Sequence, residues 1–289
     1  MSRLTLLLAA LCLAPSLTFA QAAAAPLEGR LKKIQETRTI AVAYRPDAEP
    51  FSFEDAEKRP VGYTVDLCRA VITEIEGQLG VGPLQVRWVP VTVQTRFTAV
   101  ASGQADMECG ASTVTLGRKK EVGFSSLVFV DGTGLLVLKS TPGYSLQALA
   151  GKKIGVMAGT SNERALAEAM KAMAVSATVV QVKSREEGLA QLESGAVAAF
   201  ASDRVLLLGL AGKAKDPGAT ALLADALSYE PYAIVLPRGD WAMQHAVDAG
   251  LAQVFASPAL PAIYERWLSG LGKPSPALQM MYGLGRLPQ

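Results

Sequence analysis

One histidine and three cysteines are all that 289 residues offer of the two most versatile metal-ligating side chains. A His-rich metal site is excluded, and any histidine-dependent triad would have to use His245. The sequence also lacks a glycine-rich dinucleotide fingerprint after its first strand, a Walker A segment, a CxxC pair and a nucleophile elbow. Charge of one sign is missing too, since 28 Lys and Arg stand against 26 Asp and Glu, a formal net charge of +2. A dedicated nucleic-acid binder needs a concentrated basic face to displace counterions from phosphate, so that class is set aside. Half of the residues are hydrophobic, which excludes disorder, and the length predicts about two domains.

The one long apolar stretch is at the start. Arg3, the run Leu4–Leu13, Pro15 and the small residues Thr18 and Ala20 read as a signal peptide over residues 1–20, too short to span a membrane. Cleavage there predicts an exported, periplasmic protein. Residues 21–29 (QAAAAPLEG) read as a linker. Export permits a disulfide between Cys68 and Cys109, but sequence does not fix their separation, so a buried free pair stays open.

From Thr39 onward strands and helices alternate. Val65, Cys68, Ile72, Ile75 and Leu79 recur at three- and four-residue spacing, which predicts an amphipathic helix over 64–79. Strands are expected over 39–44, 84–91 and 106–109, and a second series follows: strand 153–157, helix 162–173, strand 178–182, helix 186–193 and strand 196–201. Two such series predict two α/β domains with largely parallel sheets. The glycine-interrupted segment 127–138 and the segment 229–236 read as two crossovers. If both are crossovers, the organisation is a first domain from 30–134 and 233–289, a second inserted over 135–232, and a hinge where the chain crosses; two sequential domains are the alternative.

Ligands of open α/β sheets sit beyond the carboxyl ends of strands. Arg45, Arg96, the Ser112-Thr113 pair with Arg118, the Gly159-Thr160 helix start and Asp203 all fall at such points. Backbone N–H groups at a helix start attract anions. Three arginines and one aspartate suit a ligand with two anionic groups and one cation, because a buried carboxylate needs a guanidinium fork and an ammonium needs a carboxylate. An acidic α-amino acid fits. Phe51 and Phe53 read as pocket walls or core, Tyr44 as a possible lining residue, Lys119 and Lys120 as a solvated helix face, and His245 as a helix-surface or internally satisfied side chain.

The segments RPDAEPFSFED (45–55), VPVTVQTRFTAVASGQADMECGASTVTLGRKKEVGFS (89–125), GVMAGTSNERAL (155–166) and QLESGAVAAFASDRVLL (191–207) resemble the periplasmic solute-binding proteins of polar amino-acid ABC transporters, above all the glutamate/aspartate-binding ones. The resemblance implies a type II periplasmic-binding-protein fold, α/β with two domains, no cofactor, no metal and no catalytic residue. It implies that Arg118, Thr113 and the Gly159-Thr160 start take the α-carboxylate, that Asp203 takes the α-ammonium, and that Arg45 and Arg96 take the side-chain carboxylate. Where that subgroup carries serines this chain has Val93 and Ala111, and Arg185 stands near the position of its histidine. The implied function is capture of a polar or acidic amino acid by hinge closure and delivery to an ABC permease, as a monomer with no nucleic-acid partner. A cyclohexadienyl dehydratase-like enzyme, with Glu108 or Asp203 as its acid, and a ligand-binding module for a sensor are the alternatives.

Overall fold

The computed structural model describes residues 27–288. The leader 1–20 and the linker up to residue 26 lie outside them, and Gly29, expected in the linker, already opens a helix. In chain order the elements are α1 (Gly29–Thr37), β1 (Thr39–Tyr44), β2 (Asp47–Ala48), β3 (Ser52–Glu54), β4 (Pro60–Val61), α2 (Tyr63–Leu79), β5 (Gln85–Pro90), α3 (Arg96–Ala101), β6 (Met107–Glu108), β7 (Gly123–Asp131) and β8 (Thr133–Leu138). They continue with β9 (Lys153–Met157), α4 (Ser161–Ala172), β10 (Thr178–Val182), α5 (Arg185–Glu193), β11 (Ala199–Asp203), α6 (Arg204–Ala211), β12 (Thr220–Leu222), β13 (Glu230–Leu236), α7 (Trp241–Ala256), α8 (Ala259–Leu268) and α9 (Pro276–Gly285).

Two five-stranded sheets form the two lobes, in the orders β5-β1-β6-β13-β7 and β10-β9-β11-β8-β12. The sequence reading expected largely parallel sheets, and each sheet in fact has one reversed strand. β13 runs antiparallel to both β6 and β7, and β8 runs antiparallel to both β11 and β12. The reason is topological. β8 and β13 are the strands by which the chain enters the second sheet at Gly132 and returns to the first after residues 223–229, so each arrives from the opposite lobe.

Helix α2 buries the stripe that its spacing predicts, from Val65 and Cys68 to Ile75 and Leu79, and Gly80 ends it in the left-handed conformation. With α1, α7, α8 and α9 it covers one face of the first sheet. At the centre of this core Phe51 is fully buried, its ring edge-on to Tyr63, Phe129 and Tyr232. Phe51 is therefore core, and Phe53 packs edge-on to Trp267. The second sheet is covered on both faces by two smaller cores. Sequence analysis did not foresee α1, α9 or the small β2-β3-β4 sheet, whose two- and three-residue strands are too short to show a period.

Cys68 of α2 and Cys109, which follows β6, form a disulfide with Cα atoms 6.4 Å apart. It fastens the helix to the loop that carries Glu108, Gly110 and Ser112. His245 lies on the exposed face of α7, and Lys119 and Lys120 are exposed in a single 3-10 turn. Among the described residues no single helix is long and apolar enough to cross a membrane.

Candidate functional site

Four of the five strands in each sheet run in one direction, so the residues that leave their carboxyl ends gather where the lobes meet. Arg45 follows β1, Thr113 and Arg118 follow β6, Arg96 opens α3 after β5, Arg185 opens α5 after β10, and Asp203 ends β11. Arg45, Arg96, Ser112, Thr113, Arg185 and Asp203 are all buried, and Arg118 is half-buried. The lobes touch through these positions: Ser161 of α4 donates to the Thr113 hydroxyl at 3.2 Å, and Arg185 reaches across to Asp47.

The arginines divide into two groups. Arg96 and Arg118 both lie over the Phe97 ring, with guanidinium carbons 4.8 and 5.0 Å from its centroid. Each is aimed by one backbone carbonyl, Arg96 by Ala111 at 3.2 Å and Arg118 by Thr113 at 2.8 Å. Burial and then the charge of Arg118 lower the Arg96 pKa to about 10. Arg45 is lowered to about 10 as well, by burial and by Arg185. Arg45 and Arg185 form the second group, on either side of Asp47. Burial raises the Asp47 carboxyl, but Arg45 and Arg185 outweigh it and hold the group below the usual carboxylate range. A cavity of about 310 Å³ lined by Arg45, Asp47, Val93, Met157 and Ser184 opens beside them.

At the crossover end the charge is negative. Asp131, Asp203 and Glu230 converge with Tyr232, Asn162 and Thr133. Glu230 accepts from Ser228 at 2.6 Å and from Thr133 at 3.2 Å, Tyr232 donates to Asp131 at 3.4 Å, and Asn162 donates to the Thr133 hydroxyl at 2.9 Å. Burial and then Asp203 push Asp131 up to about 7, while burial and then Glu230 push Asp203 up. Glu108, fully buried below Arg96, accepts from Ser112 at 2.7 Å, and burial raises its pKa against the opposing pull of Arg96.

Buried polar atoms normally find partners. Here Nε of Arg45, Arg96 and Arg185 and one carboxylate oxygen each of Glu108, Asp203 and Glu230 have no protein partner. All six belong, among the described residues, to side chains gathered where the lobes meet.

Two expectations need correction. The Gly159 N–H is not free for an anion, because it donates to the Glu163 carboxylate at 2.9 Å. The Thr160 hydroxyl donates to Met157 at 2.7 Å and accepts from the Glu163 N–H, so it caps α4 rather than facing the cleft. Thr160-x-x-Glu163 has the spacing of a capping box, with the glutamate taking the N–H of the residue before the cap, and Ser184-x-x-Glu187 at the start of α5 does the same with Lys183. The groups of this turn that reach the interior are Ser161 and Asn162. The second correction concerns charge. Three arginines against one aspartate undercounts the site, where four guanidiniums face five carboxylates, Asp47, Glu108, Asp131, Asp203 and Glu230.

The model of the bacterial extracellular solute-binding proteins, family 3, matches residues 40–270, which hold both sheets and every cleft residue named above. The chain belongs to that family. This family-3 solute-binding protein is 35% identical over 244 residues to the L-glutamate/L-aspartate-binding protein of Pseudomonas aeruginosa, covering 84% of this chain and 81% of the relative. It is 33% identical over 261 residues to the glutamate/aspartate import solute-binding protein of Escherichia coli K12, covering 90% and 86%. Among solved structures, an ancestral arginine-binding protein bound to glutamine superposes with a TM-score of 0.70 at 27% identity, covering 80% of this chain and 97% of the other. An ancestral amino-acid-binding protein described as a precursor of cyclohexadienyl dehydratase gives a TM-score of 0.71 at 26% identity, covering 83% and 99%. The relatives named by sequence are binding proteins, and the family is extracytoplasmic.

Sequence reading of this family-3 protein missed Asp47, Phe97, Asp131, Glu230 and Tyr232. Asp47 had a signal, since it lies two residues beyond Arg45 in the segment that carries the resemblance. Phe97, adjacent to Arg96, had one as well. Asp131 and Glu230 are about a hundred residues apart, and only the pairing of β7 with β13, which sets Glu230 opposite Asp131, brings them together.

Proposed function

We propose that this protein captures a polar or acidic α-amino acid, glutamate and aspartate foremost, between its lobes and delivers it to an ABC permease from the periplasm. In this reading residues 30–134 with 233–289 and residues 135–232 move as two bodies about the two crossovers. A ligand touching both lobes gains contacts on closure and so shifts the hinge equilibrium. Arg118, Thr113 and Ser161 take the α-carboxylate, Asp203 and Glu230 the α-ammonium, and Arg96 with the Arg45 and Arg185 pair the polar side chain. The observation that carries the reading is the set of buried polar atoms without a partner among the described residues, guanidinium Nε of Arg45, Arg96 and Arg185 and carboxylate oxygens of Glu108, Asp203 and Glu230, on residues gathered where the lobes meet. The names of the relatives support the ligand class. The function needs no folded partner subunit, and the protein is proposed to act as a monomer.

The test is a thermal-shift screen over the twenty amino acids and the common dicarboxylates, followed by calorimetry. A ligand that binds only the folded state raises the melting temperature. Glutamate or aspartate is expected to bind with a dissociation constant of about a micromolar, equivalent to roughly −8 kcal/mol. If no amino acid shifts the melting temperature, the reading is wrong.

Binding is also expected to release a proton. Asp131 and Asp203 titrate above their unfolded values, so ligand-free protein gains stability from holding protons there at low pH, and the part due to Asp131 is lost as pH rises through about 7. A ligand ammonium favours the ionised carboxylates and displaces a proton. Affinity should therefore increase with pH between 5 and about 7, by up to about tenfold per unit for one proton released, and level off above. Calorimetry at pH 6 in buffers of different ionisation enthalpy reads the proton directly. An affinity that is flat across this range, with no dependence on buffer, would contradict the assignment of the ammonium to this cluster.

A further inference from the structure

Asp47 has no role in the ligand assignment above, yet its carboxylate meets guanidiniums from both lobes. Arg45 Nη2, in the first lobe, lies 2.7 Å from Oδ2 and 2.6 Å from Oδ1. Arg185 Nη1, at the first residue of α5 in the second lobe, lies 3.3 Å from Oδ2 and 3.2 Å from the Asp47 carbonyl oxygen. The two arginine side chains are 2% and 7% exposed, whereas that of Asp47 is 27% exposed. One carboxylate held by two buried guanidiniums, one from each lobe, is the arrangement a captured dicarboxylic ligand would itself adopt at this end of the cleft. β2 positions it: Asp47 pairs with Phe53, and Ser52 of the next strand fixes the Arg45 N–H at 2.9 Å, so the Arg45–Asp47 turn is held from behind.

We propose that Asp47 is a specificity-determining residue that stands in for a ligand carboxylate between Arg45 and Arg185. It bridges the lobes there and narrows the preference of the cleft for an acidic side chain over its amide. Without it, the unpaired charge of Arg45 and Arg185 would bind a ligand carboxylate and reject an amide. With it, that charge is halved, and a second carboxylate placed nearby meets like-charge repulsion, which costs several kcal/mol at a desolvated interface. The orientation of the ligand rests on the reading under Proposed function, whereas the bridge between lobes does not.

The test uses Asp47→Asn and Asp47→Ala in the full exported protein with four ligands, glutamate, glutamine, aspartate and asparagine, measured by calorimetry at pH 7.5. The ratio of glutamate to glutamine affinity is expected to increase by about ten- to a hundredfold in Asp47→Asn, and the aspartate to asparagine ratio likewise. A ratio within twofold of wild type, or a smaller one, overturns the specificity role. Small-angle scattering without ligand gives the second arm: Asp47→Ala should have a larger radius of gyration than wild type because the lobes lose a bridge, and an unchanged radius overturns the bridge. If wild type and both variants bind none of the four ligands, the proposed ligand class and the selectivity role fall together. The scattering arm then still decides whether Asp47 joins the lobes.

Discussion

Arg96→Ala is expected to weaken binding of the captured amino acid by about 2–5 kcal/mol, roughly thirtyfold to several thousandfold. Arg96 is 4% exposed, its Nε has no protein partner, and its single protein hydrogen bond, to Ala111, aims the guanidinium instead of satisfying it. A ligand carboxylate would supply the missing partner, and alanine would leave that carboxylate desolvated and unpaired. The rest of the molecule tolerates the change. Glu108 loses the main positive charge that opposes its burial, and it answers by taking up a proton, since burial already raises its pKa. The ligand-free variant should therefore unfold within a few degrees of wild type while its calorimetric binding heat disappears. Arg96→Lys should not restore affinity, because an ammonium lacks the planar fork that grips a carboxylate with two parallel hydrogen bonds. Wild-type affinity in either variant would remove Arg96 from the ligand contacts.

The second large effect concerns the disulfide. Cys68 and Cys109 are 41 residues apart, and closing a loop of that length restricts the unfolded chain by about 4 kcal/mol on the chain-entropy model. The double variant Cys68→Ser/Cys109→Ser is expected to melt about 10 °C below wild type. Ligand affinity should fall as well, by a smaller factor. Cys109 anchors the loop whose Ala111 carbonyl aims Arg96 and whose Ser112 hydroxyl holds Glu108. A melting temperature within 2 °C of wild type under oxidising conditions would show that the core around α2 holds this loop without the cross-link.

Much of the site was legible because of one rule of α/β architecture. A residue that leaves the carboxyl end of a strand lies near the cleft, so Arg45, Thr113, Arg118 and Asp203 were placed there from the strand pattern, whereas Arg185 came only with the family resemblance. The same rule placed Arg96, at the head of the helix that follows β5. It misled at Gly159-Thr160, where the helix start supplies its own anion. Glu163, three residues after Thr160, takes the Gly159 N–H, and the Thr-x-x-Glu spacing that announces this is local and readable. Phe51 could not be assigned from its alternation with Ser52, since a pocket wall and a core ring have the same period. Its three edge-on aromatic neighbours come from α2, β7 and β13, far apart in the chain.

By itself, the sequence determined the main alternation of strands and helices, the arginines and the aspartate at the strand ends, the return of the chain to its first sheet, and the lack of a His-rich metal site. Those are local properties: periodicity, turn chemistry and residue type. The tertiary structure alone decided how the charges balance. Asp47 lies between arginines from two lobes, Asp131 and Glu230 meet only through the pairing of β7 with β13, and Cys68 reaches Cys109 only because α2 packs over β6. Coulomb interaction and desolvation depend on distance and burial in space, which residue number does not record. A chain almost neutral in composition thus gathers four guanidiniums and five acidic side chains at one junction between its lobes.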